Sequence, residues 1–349
     1  MTCHIARHTG AVTAEGTARR PASIRDVARL AGVSHQTVSR VLNQHPSIRP
    51  ETRARVVDAM ETLRYRPNRA ARVLVTSRSH TLGILTSNRM HYGPSSSIVA
   101  IEAAARAAGY SVVTTNLPST DPEAIDAALE HLLDQAVEGL VVIAPQTRVA
   151  AAISSLKIGV PYVTLQSEDD GSHTLSVDQI AGARLATRHL LELGHRRIAH
   201  LAGPQDWSEA EARLRGFAAE LAAWDVPAEE PLVGDWTADA GYRAGRELLD
   251  RGGITAVFSA NDQMALGVLS AVREGGRDCP RDLSVVGFDD MPEARHFAPP
   301  LTTVRQDFEE LGRRCVALLL GRLDGGARSA APIAPELVLR SSTAPPQAR

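Results

Sequence analysis

The 349-residue sequence predicts two kinds of structure in tandem: a small all-α helix-turn-helix domain, then an α/β core of two doubly wound parallel-sheet lobes. Three observations predict it. The first 65 residues contain three short stretches with apolar residues at helical spacing, and from Thr81 onward short apolar runs alternate with amphipathic stretches. Charge divides at the same place: residues 1–78 hold fourteen arginines, no lysine and five acids, a net charge of +9, and the remainder carries −11. A basic head on an acidic body points to a polyanionic partner for the head; a solvated basic tail is the plainer alternative.

The first helix is read from "SIRDVARLAG". Ser23 with Asp26 three residues on approximates a capping box, and Ile24, Val27, Ala28 and Ala31 fall on one helical face. Gly32 then breaks the pattern, as a residue able to take positive φ does at a tight turn. In "VSHQTVSRVLN", Ser34 can cap a second helix. At about 100° per residue Val38, Val41 and Leu42 share one arc of it, with Gln36 and Arg40 opposite and His35 and Ser39 beside them. The third helix opens on Pro50, tolerated in a first turn, and buries Val56, Ala59, Met60 and Leu63. Three short helices with a tight turn between the first two make a helix-turn-helix, whose second helix lies in a DNA major groove. Gln can pair bidentately with adenine and Arg with guanine, and the surrounding arginines suit phosphates. A small protein-binding bundle with a solvated face remains the alternative. "RPNRAARVLVTSRS" follows, either a plain linker or a segment that folds on DNA, with Leu74 the candidate wedge for a minor-groove step.

The core opens at "TLGILT" and continues through "YSVVTTN", "GLVVIAP", "PYVTLQ", "RIAHLAG", "ITAVFSAND" and "LSVVGFDD", with helical stretches such as "SIVAIEAAARAAG" and "QIAGARLATRHLLELG" between them. Nearly continuous apolar strands alternating with helices indicate parallel sheets covered on both faces. About 260 residues exceed one small sheet, so two lobes flank a cleft, with ligands beyond the carboxyl ends of the strands. Polar residues collect at those ends: Ser87 and Asn88, Gln166, Asn261 and Asp262, Asp289 and Asp290, Arg305 and Gln306. Sugar hydroxyls both donate and accept, so amides, carboxylates and an arginine suit them, and Trp236 can cover the apolar face of a sugar ring. Strand capping is the competing role, above all for Asp262 and Asp290. Neighbours on one strand point to opposite faces, which argues against Asp289 and Asp290 acting as an acid pair.

Other functions find little support. Phosphate-loop, dinucleotide and HExxH motifs are absent, the twelve histidines show no metal-ligand spacing, and His195 reads as structural. No catalytic residue, metal or cofactor is expected. Cys3, Cys279 and Cys315 are odd in number and far apart, which speaks for a reducing cytoplasm. No apolar run reaches a membrane span and the first twenty residues lack a secretory pattern, so no membrane partner is expected. A sugar-binding transport protein and a carbohydrate-acting enzyme remain the alternatives. The first needs a secretion signal and leaves residues 23–78 unexplained; the second predicts turnover.

"IRDVARLAGVSHQTVSRVLN", "TLRYRPNRAA", "LGHRRIAHLAGP", "ANDQMALG", "SVVGFDD" and "PPLTTVRQDFEELG" resemble, in this order, the lactose-repressor family of bacterial transcription regulators. The resemblance runs from about Ser23 to Thr343. It implies a sugar-responsive repressor, binding operator DNA as a homodimer, with a core like periplasmic sugar-binding proteins. Residues 1–21 read as a disordered extension, or as the product of a start codon placed too early; the resemblance implies a DNA-binding domain over 22–66 and a hinge helix over 67–78. An effector-binding and dimerisation core over 79–343 and a disordered tail over 344–349 complete the division. Its lobes comprise 79–177 plus 308–335, and 178–305 plus the end. Carried over by motif, His35, Gln36 and Arg40 read bases and Leu74 is the hinge wedge; Ser34, Thr37 and Asn43 complete the DNA-binding set. The implied effector groups are Ser87, Gln166, Arg213, Trp236, Asn261, Asp289 and Gln306. Three departures stand out: His35 replaces a tyrosine and Gln166 an aspartate of the family's name-giving member, and no leucine-heptad tail follows Ala344. The last favours a dimer.

Overall fold

The computed structural model describes residues 20, 22–42, 45–65, 78–87, 90–156, 158–166, 173–326 and 331–347. The chain divides into two compact units, residues 1–79 and 80–349.

In the first unit, α1 (Ile24–Ala31), α2 (His35–Leu42) and α3 (Pro50–Thr62) enclose a core of Val27, Ala28, Ala31, Val38, Val41, Val56 and Ala59. Leu42, Met60 and Leu63 pack against it partly buried. The capping box forms: the Asp26 amide donates to Ser23 Oγ at 3.3 Å and the Ser23 amide to Asp26 Oδ2 at 2.9 Å. Gly32 ends α1 with φ +63°, a left-handed conformation that glycine takes without a Cβ penalty.

The second unit holds two sheets. The N-terminal lobe has the order β2-β1-β3-β4-β5, all parallel, built from β1 (Thr81–Thr86), β2 (Ser111–Asn116), β3 (Gly139–Ile143), β4 (Tyr162–Leu165) and β5 (Thr174–Leu175). Its helices are α4 (Tyr92–Ala107), α5 (Pro122–Asp134) and α6 (Thr147–Ser155). The chain then crosses into α7 (Gln179–Glu192), β6 (Ile198–Ala202), α8 (Ser208–Ala223), β7 (Leu232–Val233), α9 (Ala238–Arg251), β8 (Ala256–Ser259), α10 (Asp262–Glu274) and β9 (Ser284–Asp289). β10 (Thr302–Arg305) completes the parallel run. α11 (Phe308–Leu323) returns to the first lobe, where Leu311, Cys315 and Leu319 join Leu82, Ile84 and Ile101 in one core. β11 (Glu336–Val338) comes back to the second sheet as its antiparallel edge, giving β11-β10-β9-β8-β6-β7.

The strands are apolar on both faces because helices cover both, and β3, β6, β8 and β9 are buried along their whole length. Two glycines permit close packing in the C-terminal lobe. α9 and α10 approach so closely that a Cβ on Gly267 would stand 1.9 Å from the Ala238 carbonyl oxygen. A Cβ on Gly203 would stand 2.1 Å from the Trp236 ring. Order also passes the boundary expected at Thr343: His195 Nε2 and Ser284 Oγ lie 2.9 and 3.0 Å from the Ala344 carbonyl oxygen. His195 is thus part of the scaffold, its Nδ1 bonded to Thr255 Oγ1 at 2.9 Å.

Candidate functional site

A pocket lies between the two lobes. It is walled by the carboxyl ends of strands and the first turns of helices, as the parallel topology requires. Of the seven effector residues expected from sequence, six line it: Gln166, Arg213, Trp236, Asn261, Asp289 and Gln306. Ser87 does not. It directly follows β1, and its hydroxyl donates to Gln146 Oε1 at 2.5 Å. Asn88 lies outside the described residues.

Four buried side chains form a closed polar circuit on the C-terminal lobe. Arg213 Nε donates to Gln179 Oε1 at 2.8 Å, Gln179 Nε2 to Gln306 Oε1 at 2.8 Å, and Gln306 Nε2 to Asp289 Oδ1 at 2.6 Å. That carboxylate returns to within 3.7 Å of Arg213 Nη2. Each amide can donate only in one sense, so the circuit fixes the orientation of every member. Arg213 also donates to the Ala260 carbonyl oxygen and lies 3.9 Å from the Phe288 ring centre. Burial lowers the Arg213 pKa, and nearby acids, Asp289 first, oppose the shift. Burial raises Asp289 to about 6, against the pull of Arg213 and Gln306.

Asn261 caps α10, accepting from the Met264 amide at 2.9 Å, and its Nδ2 donates to the Trp236 carbonyl oxygen at 3.1 Å. That bond helps hold Trp236, at φ +72°, with its ring 5.3 Å from Trp207. The Trp236 indole N–H is buried with no partner among the described residues.

The capping role holds for the strand-end residues that miss the pocket. Asp262 takes the Thr303 hydroxyl at 2.5 Å and the Met291 amide at 2.8 Å. Asp290 pairs with Arg305 at 2.7 Å and Arg340 at 2.5 Å, so the adjacent aspartates do face apart. Sequence reading missed His91, Tyr92, Gln179, Trp207, Glu209 and Phe308, all on the wall. One signal was available: Glu209 and Arg213 stand four residues apart on α8, hence on one face. Burial raises the Glu209 pKa to about 7 and lowers that of His91.

In the head, Ser34 and Thr37 bond to each other at the start of α2, with hydroxyl oxygens 3.0 Å apart and the Thr37 amide donating to Ser34 Oγ at 3.1 Å. His35, Gln36 and Arg40 are exposed along the edge opposite Val38 and Val41. Asn43 and Leu74 lie outside the described residues.

Residues 23–68 match the model of bacterial regulatory proteins of the lacI family, and residues 187–343 that of the periplasmic binding protein-like domain. The lactose operon repressor of Escherichia coli K12 is 38% identical over 331 residues, covering 94% of this chain and 92% of that protein. The transcriptional regulator CelR of Thermobifida fusca is 38% identical over 320 residues, covering 88% and 93%. Among solved structures, a lac repressor dimer bound to operator and the anti-inducer ONPF superposes with a TM-score of 0.85. It is 37% identical, with 93% of this chain and 100% of that one covered. A CelR–cellobiose complex gives 0.68 at 32% identity, covering 92% and 99%. Head, core and their order agree in all of these, and the chain belongs to the lacI family of bacterial regulatory proteins.

Proposed function

We propose that this protein is a sugar-responsive repressor of transcription that acts as a homodimer on operator DNA in the cytoplasm. The observation that carries the reading is one chain holding both an exposed polar edge on the second helix of a helix-turn-helix and a pocket with a prealigned polar circuit. His35, Gln36 and Arg40 read base edges, while Ser34 and Thr37 fix the start of the helix that presents them. In the pocket, Arg213, Asn261, Asp289, Gln306 and Gln166 bond sugar hydroxyls and Trp236 packs on the ring. Sugar and operator favour different arrangements of the chain, so each lowers affinity for the other by one coupling energy, typically ~1–3 kcal/mol. Carbohydrate utilisation genes are the targets, and effector releases DNA. The reading is non-enzymatic: the Asp289 carboxylate is engaged by Gln306 and Arg213, and the relatives are transcriptional regulators.

The test is binding to a fragment of its own promoter, with and without a sugar panel headed by lactose, galactosides and cellobiose. Saturable binding at moderate salt, released by one class of sugar, is the expected result; no affinity for DNA sinks the reading. Arg40→Ala should cost ~1–3 kcal/mol on operator and relax discrimination at one base pair. An equal loss on random DNA would remove Arg40 from base reading.

A further inference from the structure

The charges lining the pocket do not balance. Resting on the sugar-responsive reading, we propose that Glu209 is a specificity-determining residue: it excludes anionic sugars, such as uronic acids and aldonates, and restricts the effector to an uncharged sugar.

Arg213 is the pocket's guanidinium, and it is committed. It donates to Gln179 and to the Ala260 carbonyl oxygen, Phe288 covers its face, and Asp289 balances its charge. His91, on the opposite lobe, is held toward its neutral form by burial. Glu209 is left over. Ser208 Oγ donates to Glu209 Oε2 at 3.1 Å, and Glu209 has no ion-pair partner among the described residues. Arg213, one turn along its own helix, acts on it electrostatically, and Trp207, Ile143 and Pro145 share the pocket wall with it.

A hydroxyl can donate to such a carboxylate; a second carboxylate cannot, and the two charges repel. At an effective dielectric near 20, like charges within one pocket disfavour binding roughly tenfold or more. Glu209 is pushed up to about 7 by burial, so exclusion strengthens as pH rises through neutrality and weakens below it.

The experiment follows Trp207 and Trp236 emission in the full chain during titration with matched pairs. These are methyl β-galactoside and methyl β-glucoside against their uronosides, and lactose and cellobiose against lactobionate and cellobionate, at about pH 6 and pH 8. At pH 8 each neutral sugar that binds should do so at least tenfold more tightly than its acid partner. The gap should narrow at pH 6, and fall below threefold in Glu209→Gln. An acid that binds as tightly as its neutral partner, or a gap unchanged in Glu209→Gln, overturns the inference and leaves the sugar reading standing. If no neutral sugar binds, the sugar reading fails and this inference fails with it. If the variant does not fold, an acid that binds the wild type as tightly as its neutral partner still overturns the inference.

Discussion

The two lobes offer one pocket opposite surfaces. The N-terminal lobe contributes mainly Ile143, Pro145, Leu165 and Leu175, closed by Tyr92, Phe308 and Leu311, with His91, Ser97 and Gln166 as its polar groups. The C-terminal lobe contributes Glu209, Arg213, Asn261, Asp289 and Gln306. The contrast divides the work of recognition. The polar lobe holds its donors and acceptors in place through one another, so little reorganisation accompanies binding. The apolar lobe removes water and covers what the polar lobe holds.

Breaking the circuit should therefore have the largest effect. Arg213 is 5% exposed and Asp289 7%, and removing one member of a buried pair strands the other, at ~3–5 kcal/mol. Arg213→Ala should abolish operator release by sugar while leaving operator affinity in place, because the head folds around its own core. A variant that still releases DNA at ordinary sugar concentrations would take Arg213 out of the contact set. Arg213→Lys should not rescue, since a lysine lacks the planar fork that reaches Gln179, Ala260 and Asp289 together.

Trp207 blurs the division, and removing its ring should rank second. It sits before α8 on the polar lobe, yet meets His91 of the other lobe edge-on at 5.4 Å and Trp236 at 5.3 Å. Trp207→Ala should lower core stability by ~3 kcal/mol in denaturant unfolding and weaken every sugar. A loss confined to sugar affinity, with stability intact, would make the ring a ligand platform and not a packing element.

The same contrast explains what the sequence made legible. The head was readable in full outline because Ser23, Asp26, Gly32 and Pro50 act on neighbours three or four residues away. The long strands were readable because burial on both faces leaves uninterrupted apolar runs. β5 and β7, two residues each, leave no such trace. In the pocket, Asn261, Asp289 and Gln306 stand at or just past strand ends, which a parallel sheet gathers on one edge. Asp262 and Arg305 stand there too, but partners distant in sequence, Thr303 for one and Asp290 for the other, draw them away. His91, Trp207 and Phe308 reach the wall from helix starts on two lobes, and no local pattern announces that meeting.

Glu209 tests whether polarity on the C-terminal lobe carries a cost in stability. Its folded pKa, about 7, stands above the ordinary 4.5, and that of Asp289, about 6, above 3.8. Stability linked to a raised pKa is fully present below the unfolded value and lost as pH rises through the folded one. The core should therefore become less stable between about pH 5 and pH 8. Glu209→Gln should melt above the wild type near pH 8, with the advantage vanishing near pH 4. A constant difference across that range would mean that Glu209 does not titrate as its burial requires.

The smallest effect is expected where the lobes touch through exposed charge. Arg148 and Asp206 pair across them at 3.1 Å, with side chains 63% and 42% exposed. Beside them the Thr147 amide donates to the Asp206 carbonyl oxygen, and the Ser208 amide to that of Pro145, both at 3.0 Å. The backbone bonds survive any change of the Arg148 side chain, and exposed ion pairs contribute ~0–1 kcal/mol that salt screens further. Arg148→Ala should shift stability by less than about 0.5 kcal/mol and sugar affinity by less than threefold, with added salt erasing either change. A larger loss, persisting at high salt, would show that side-chain charge and not the paired backbone joins the lobes here. The division between an apolar lobe and a polar one would then fail at their point of contact.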